Sequence, residues 1–312
     1  MTRYIGEIIS LGVACSWTVA ALSSEIGSRR LGVMTMNVWR MSLALLLSAL
    51  LMWWVFGRPY PVYAGAEAWG WLLLSGVVGY FFGDWCLFNI YLTIGSRYGQ
   101  LFMTLAPMFT ALTAWLMLGQ RLSCSALLAM AVTLSGIAIS VLSRGGAHKI
   151  GVALPTRGIL FGIGAGLGQG VGLVLSKVGL DHYIADVPSG EMSMVGGYLP
   201  FGSNMIRCVA GLLCFTLWLL LRGEASRLRE SIHDRRGLAA MCIAVFSGPF
   251  IGVGFSLMAV EYTAAGIAST LMALTPILIL LPSRWLFGQP ITARSVLGAV
   301  ISCVGVSMFF LL

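Results

Sequence analysis

The chain has 312 residues, 58% of them hydrophobic and only 10% charged. A soluble domain carries about 25% charged residues, so this composition excludes a water-solvated globule and makes lipid the solvent for most of the surface. The net charge of +8 does not point to nucleic acid, because the arginines are scattered between apolar stretches and build no basic face.

A membrane-crossing helix needs about 20 apolar residues at a rise of about 1.5 Å each. In chain order, ten segments qualify: 5–26, 34–56, 69–92, 98–118, 124–142, 157–180, 202–221, 237–260, 267–287 and 293–312. Most connections are short. The longer ones are 57–68, 143–156 and 181–201, which hold Gly, Pro and acids, and the charged stretch 222–236. Arg3 gives the first span the look of a signal peptide, but that span has a counterpart in the sixth and is expected to stay as a membrane helix. The seven cysteines lie in or beside apolar spans with no CxxC pair and read as small packing residues. His148, His182 and His233 all fall in expected loops.

The chain repeats itself. A shift of 169 residues lays Gly79 on Gly248, Gly83 on Gly252, Met103 on Met272, Pro107 on Pro276, Gly119-Gln120 on Gly288-Gln289 and Gly136 on Gly305. A shift of 167 lays Arg40 on Arg207, and a shift of 152 lays Gly12 on Gly164 and Gly27 on Gly179. The longer loop at 181–201 accounts for the change in shift. Each repeat has five spans, and an odd number makes the second copy enter from the opposite side. The expected architecture is therefore an all-α membrane protein of ten transmembrane helices in two inverted five-helix repeats, 1–150 and 151–312. Such repeats recur in secondary transporters, with the substrate near mid-membrane between them.

Lys and Arg mark the cytoplasmic loops. The side holding both termini has Arg3, Arg58 and Arg121. The other side has Arg29, Arg30, Arg97, Arg144, Lys149, Arg157, Arg222, Arg227, Arg229, Arg235, Arg236 and Arg294. A multi-pass protein of the inner (plasma) membrane with both termini outside the cytoplasm is the expectation.

The spans also carry candidate functional residues. In span one, Trp17 and Thr18 sit at the depth of Gln169 in span six, and Trp17 aligns with Gln169, so these three belong on a cavity list. Glu25 and Lys177 occupy equivalent positions with opposite charge and are expected to pair locally, Glu25 with Arg29 or Arg40. Arg40 and Arg207 lie early in spans two and seven, toward opposite membrane faces, where they could bind an anionic substrate from each side or simply reach the interface. Asp84, in Gly-Tyr-Phe-Phe-Gly-Asp-Trp, is the only Asp deep in a span. A charge at mid-bilayer costs about 2.5–3.5 kcal/mol, so Asp84 should face a cavity or a partner, binding substrate or a coupling proton, or else serve structure. Pro107 and Pro276 interrupt spans four and nine at equivalent places, as hinges or as passive kinks. In span six, Gly162, Gly164, Gly166, Gly168, Gly170 and Gly172 alternate around Gln169. They serve either close helix packing or a bent, locally unwound segment lining the substrate path. Glu261, at the end of span eight, reads as interfacial.

The run from Leu105-Ala-Pro107 to Leu118-Gly119-Gln120-Arg-Leu122, then Gly136, resembles the EamA-type members of the drug/metabolite transporter superfamily. The second half repeats it as Leu274-Thr-Pro276, Phe287-Gly288-Gln289-Pro-Ile291 and Gly305. The resemblance implies ten helices and transport of a small molecule, often export of an amino acid, metabolite or drug, with no catalytic residue and no cofactor. Those proteins usually carry Glu where this chain has Gln120 and Gln289, which removes the acid on which an ion pair or protonation there would depend. They also usually have cytoplasmic termini, opposite to the charge count.

An intramembrane enzyme is disfavoured by the residues themselves. An aspartyl protease needs two acids in one site and Asp84 stands alone, while a serine or zinc enzyme needs His at depth. A lipid-moving flippase or scramblase is the other alternative. No GxxxxGK[ST] loop is present, so transport would run on a gradient or exchange. The expected partners are a small-molecule substrate, membrane lipid and a coupling proton, with no nucleic acid, in a monomer or dimer.

Overall fold

The computed structural model describes residues 5–119, 123–144, 150–152, 154–252, 255, 271–272 and 274–311. Two long helices open the chain, α1 (Ile5–Leu31) and α2 (Val33–Phe56), joined at Gly32 with φ +79°. A side chain is strained at that backbone angle and glycine is not. Next come α3 (Ala66–Thr93), α4 (Ser96–Leu118) and α5 (Cys124–Val141). The second half follows as α6 (Thr156–Asp186), α7 (Gly196–Leu221), α8 (Arg235–Val245, extended to Gly252), α9 (Thr275–Phe287) and α10 (Ala293–Leu311). Six of these, α1 to α4, α6 and α7, are long and apolar enough to cross a membrane.

The structure departs from the expected elements in four places. Helix α1 runs to Leu31 and α6 to Asp186, beyond their apolar spans; an Arg29–Glu25 ion pair at 2.7 Å holds the end of α1, while in α6 a Lys177–Asp181 pair at 3.0 Å lies more than a turn ahead of the last residue. Part of the expected loop 143–156 forms an antiparallel ladder, β1 (Leu142–Arg144) with β2 (Ile150–Val152). Helix α6 is unbroken over its 31 residues, which favours the close-packing reading of its glycines over the unwound one. Finally, α3 is π-helical over Gly76–Gly83, and α8 is π-helical over Phe246–Gly252, at the position equivalent by the 169-residue shift.

Packing follows the repeat. Helix α3 of the first half lies on α6 and α8 of the second half on α1, while α2 packs on α7 and α5 on α10. The glycines set these approaches. A Cβ on Gly168 would meet the Cα of Gly83 at 2.6 Å, and one on Gly172 the Cα of Gly79 at 2.7 Å. On the other side of the repeat, Gly248 faces Ala20 and Gly252 faces Trp17. Gly166 and Gly170 bring α6 against Leu105 and Phe109 of α4. These contacts drive association by close packing, which needs small residues at the crossing.

Candidate functional site

A cavity of about 500 Å³ lies between the two halves. Three helices each offer it one face at the i, i+3, i+4, i+7 spacing of an α-helix. These are Trp17, Ala20, Ala21 and Ser24 of α1; Asp84, Leu87, Phe88 and Tyr91 of α3; and Gln100, Met103, Thr104 and Pro107 of α4. Arg40 of α2 joins them. The second half adds Gln169 of α6, Gly248 and Pro249 of α8, Met272 ahead of α9, Thr275 and Pro276 of α9, and Val306 of α10. Most of the wall is apolar or aromatic, and the polar groups are few, as in sites for small organic ligands.

Those polar groups are connected. The guanidinium of Arg40 donates through Nη2 to Asp84 Oδ2 in a direct ion pair. Its Nε donates to Asn37 Oδ1 at 3.0 Å, and its plane lies 4.8 Å from the centre of the Phe88 ring. The second carboxylate oxygen of Asp84 accepts from Gln169 Nε2 at 2.8 Å. Each oxygen of Asp84 thus has its own donor. A buried ion pair survives desolvation only when its remaining polar atoms are satisfied in this way.

Two of the expected cavity residues are elsewhere. Thr18 is buried and donates to Ala14 O at 2.9 Å in its own helix, so its hydroxyl serves α1 rather than the cavity. Arg207 does not line the cavity. Its guanidinium stacks 4.4 Å from the centre of the Tyr80 ring, beside Gly79. Glu25 pairs with Arg29, and its other oxygen takes the Ser96 N–H at 2.6 Å. Pro107 and Pro276 both reach the cavity, and α4 breaks at Thr104–Leu105, just ahead of Pro107. Gln120, Arg121, His148, Lys149 and Glu261 lie outside the described residues.

Phe88, Tyr91, Gln100 and Ser24 were not singled out from the sequence. A helical wheel drawn from Asp84, from Trp17 and from Pro107 finds all four, because each is three, four or seven residues from one of those anchors. Nothing in the residue pattern marks the π-helical turns.

A model of the EamA-like transporter family matches residues 4–142 and again residues 156–311. Comparison with curated proteins returns no match.

Proposed function

Because this chain belongs to the EamA-like transporter family, we propose that it is a secondary transporter that exports a small metabolite, amino acid or drug by alternating access. The observation that carries this reading is the cavity between the halves, whose wall holds one neutral ion pair, Arg40–Asp84, among aromatic and aliphatic side chains. In this reading, residues 1–150 and 151–312 are the two inverted five-helix repeats, and the cavity opens to one side and then the other as they rock. A substrate carboxylate competes with Asp84 for Arg40, a substrate cation competes with Arg40 for Asp84, and Trp17, Phe88 and Tyr91 hold the apolar part. A coupling proton would enter at Asp84. The Lys/Arg bias supports an inner-membrane orientation with both termini outside the cytoplasm.

The test has two steps. Thermal-shift screening of the purified protein against a metabolite library identifies ligands, since a ligand of the folded state raises apparent stability. Flux of the hits in proteoliposomes is then compared between wild type and Asp84→Asn. No stabilising ligand, or flux that Asp84→Asn leaves unchanged, would remove Asp84 from the transport site. A reporter after Leu312 that reads cytoplasmic would reverse the orientation.

A further inference from the structure

The two arginines that the repeat superimposes sit in matching local frames. Each is preceded by an asparagine, Asn37-Val-Trp-Arg40 in α2 and Asn204-Met-Ile-Arg207 in α7. In the first frame, Asn37 Oδ1 accepts from Arg40 Nε at 3.0 Å. In the second, the equivalent oxygen of Asn204 is occupied by the hydroxyl of Tyr80, and Arg207 Nε is buried with no hydrogen-bond partner. The residue equivalent to Tyr80 in the other half is Pro249, which has no hydroxyl to compete for Asn37. Among the described residues no carboxylate pairs with Arg207. Of the two equivalent guanidinium groups, Arg40 alone holds an acid, Asp84.

Asp84 is also poised to move. It directly follows the π-helical turns Gly76–Gly83, and its own N–H is shared among the carbonyls of Gly79, Tyr80 and Phe81. That amide stands between three hydrogen-bond registers. Moving the extra residue of a π turn along a helix rotates the residues it passes by about 100°, the angle between successive α-helical residues, so a π turn carried past Asp84 would re-aim its side chain. Arg207 lies against Gly76, Gly79 and Tyr80 of the same turns.

We propose that Asp84 is a two-position counter-ion, bonded to Arg40 in this conformation and passed to Arg207, by re-registration of the Gly76–Gly83 turns, in the oppositely facing one. The proposal rests on the alternating-access reading above. In the exchanged state Tyr80 leaves Asn204, Arg207 Nε takes the freed oxygen, and the second half reproduces the arrangement that the first half shows here.

The experiment is hydrogen–deuterium exchange of the full chain in phosphatidylethanolamine/phosphatidylglycerol nanodiscs. It is read at the two ends of the helices, around Gly32 and Gly95 on one side and around Gly65 and Gly190 on the other. Tyr80→Phe keeps the ring under Arg207 and frees Asn204, so it favours the exchanged state. Arg207→Gln, or Arg207→Lys if the first does not fold, favours the state described here. The expected result is a shift of the two populations in opposite senses by about five-fold, the size given by one net hydrogen bond, reciprocal at the two ends. In the Arg40→Gln/Asp84→Asn background, Arg207→Gln should then shift the populations less than it does in wild type, because only its bond to Asn204 is left to lose. Shifts in the same sense, no shift, or an Arg207→Gln effect of full size without Asp84 would overturn the exchange. Wild-type flux reads transport by itself, so failure here with flux intact removes the exchange and leaves the transport reading standing.

Discussion

Arg40 and Asp84 are bonded to each other across α2 and α3 at the wall of the cavity, and each has a second anchor, Asn37 for the guanidinium and Gln169 for the carboxylate. The anchors come from different halves of the chain, so the pair ties the two repeats together at the point where substrate is proposed to bind. Removing one member leaves a buried charge without its partner, which costs about 3–5 kcal/mol, whereas removing both is often close to neutral. Arg40→Gln and Asp84→Asn should therefore each lower the melting temperature in detergent, and the double variant should recover most of the loss. Flux should be lost in all three. A double variant no more stable than the singles would show that the pair does not act as a unit.

The α3–α6 crossing predicts a second contrast. A Cβ on Gly168 would fall 2.6 Å from the Cα of Gly83 and 2.9 Å from its nitrogen, both backbone atoms that no side-chain rotation can move aside. Gly168→Ala should destabilise by about 1–3 kcal/mol, the usual cost of overpacking, and should reduce flux because Gln169 moves with it. Gly12→Ala, in α1 with nothing within 4 Å, is the control. It should leave melting unchanged or raise it slightly, since alanine favours helix over glycine. Equal effects at the two positions would refute the packing role.

The link into α8 has a pH signature. Asp234 caps that helix by accepting the Gly237 N–H at 2.9 Å and bonds Arg30 from the first half. The Gly237 N–H first, and the Arg30 guanidinium next, hold its carboxyl below the ordinary value of 3.8. A carboxyl with a lowered folded-state pKa adds stability that is complete above its unfolded value and fades as pH falls through the folded one. The melting temperature of wild type should exceed that of Asp234→Ala at pH 7, and the gap should close only below about pH 3.8. A gap that does not change with pH would mean that the contact is one of packing.

Much of this architecture is legible in the residues, because a membrane helix is specified by a run of apolar side chains and the repeat by coincident glycines and prolines. Those glycines proved to be reciprocal contacts. A Cβ on Gly27 would meet Met36 first and the Met241 nitrogen at 3.7 Å, while one on its counterpart Gly179 would meet Leu72, the residue equivalent to Met241. What was not legible depends on the path of the backbone. The span limits stop at the hydrophobic boundary, so they miss the polar last turns of α1 and α6. The π turns change the rotation of α3 ahead of Asp84, and so its neighbours, without any compositional mark. Thr18 illustrates the same limit. Its hydroxyl bonds back to Ala14, which a linear pattern does not distinguish from facing a cavity.

The pairing of α5 with α10 gives the last prediction. By the 169-residue shift, Gly136 is equivalent to Gly305 and Thr133 to Ser302, and each glycine packs on the other's hydroxyl residue: Gly136 on Ser302 and Gly305 on Thr133. These contacts lie away from the cavity, to which α5 contributes no residue and α10 only Val306 among the described residues. A Cβ on Gly136 would lie 2.4 Å from Ser302 Oγ, but also 2.5 Å from the Ser302 nitrogen and 2.7 Å from the Gly298 oxygen. Shortening the partner side chain cannot relieve a backbone clash. Gly136→Ala should thus lower the melting temperature, and adding Ser302→Gly should fail to restore it, while the affinity of any ligand found by thermal shift stays at the wild-type value. Rescue by Ser302→Gly would show that the two helices are held apart only by the hydroxyl. Lost affinity would show that the α5–α10 pair reaches the cavity through Val306 and is part of the transport machinery.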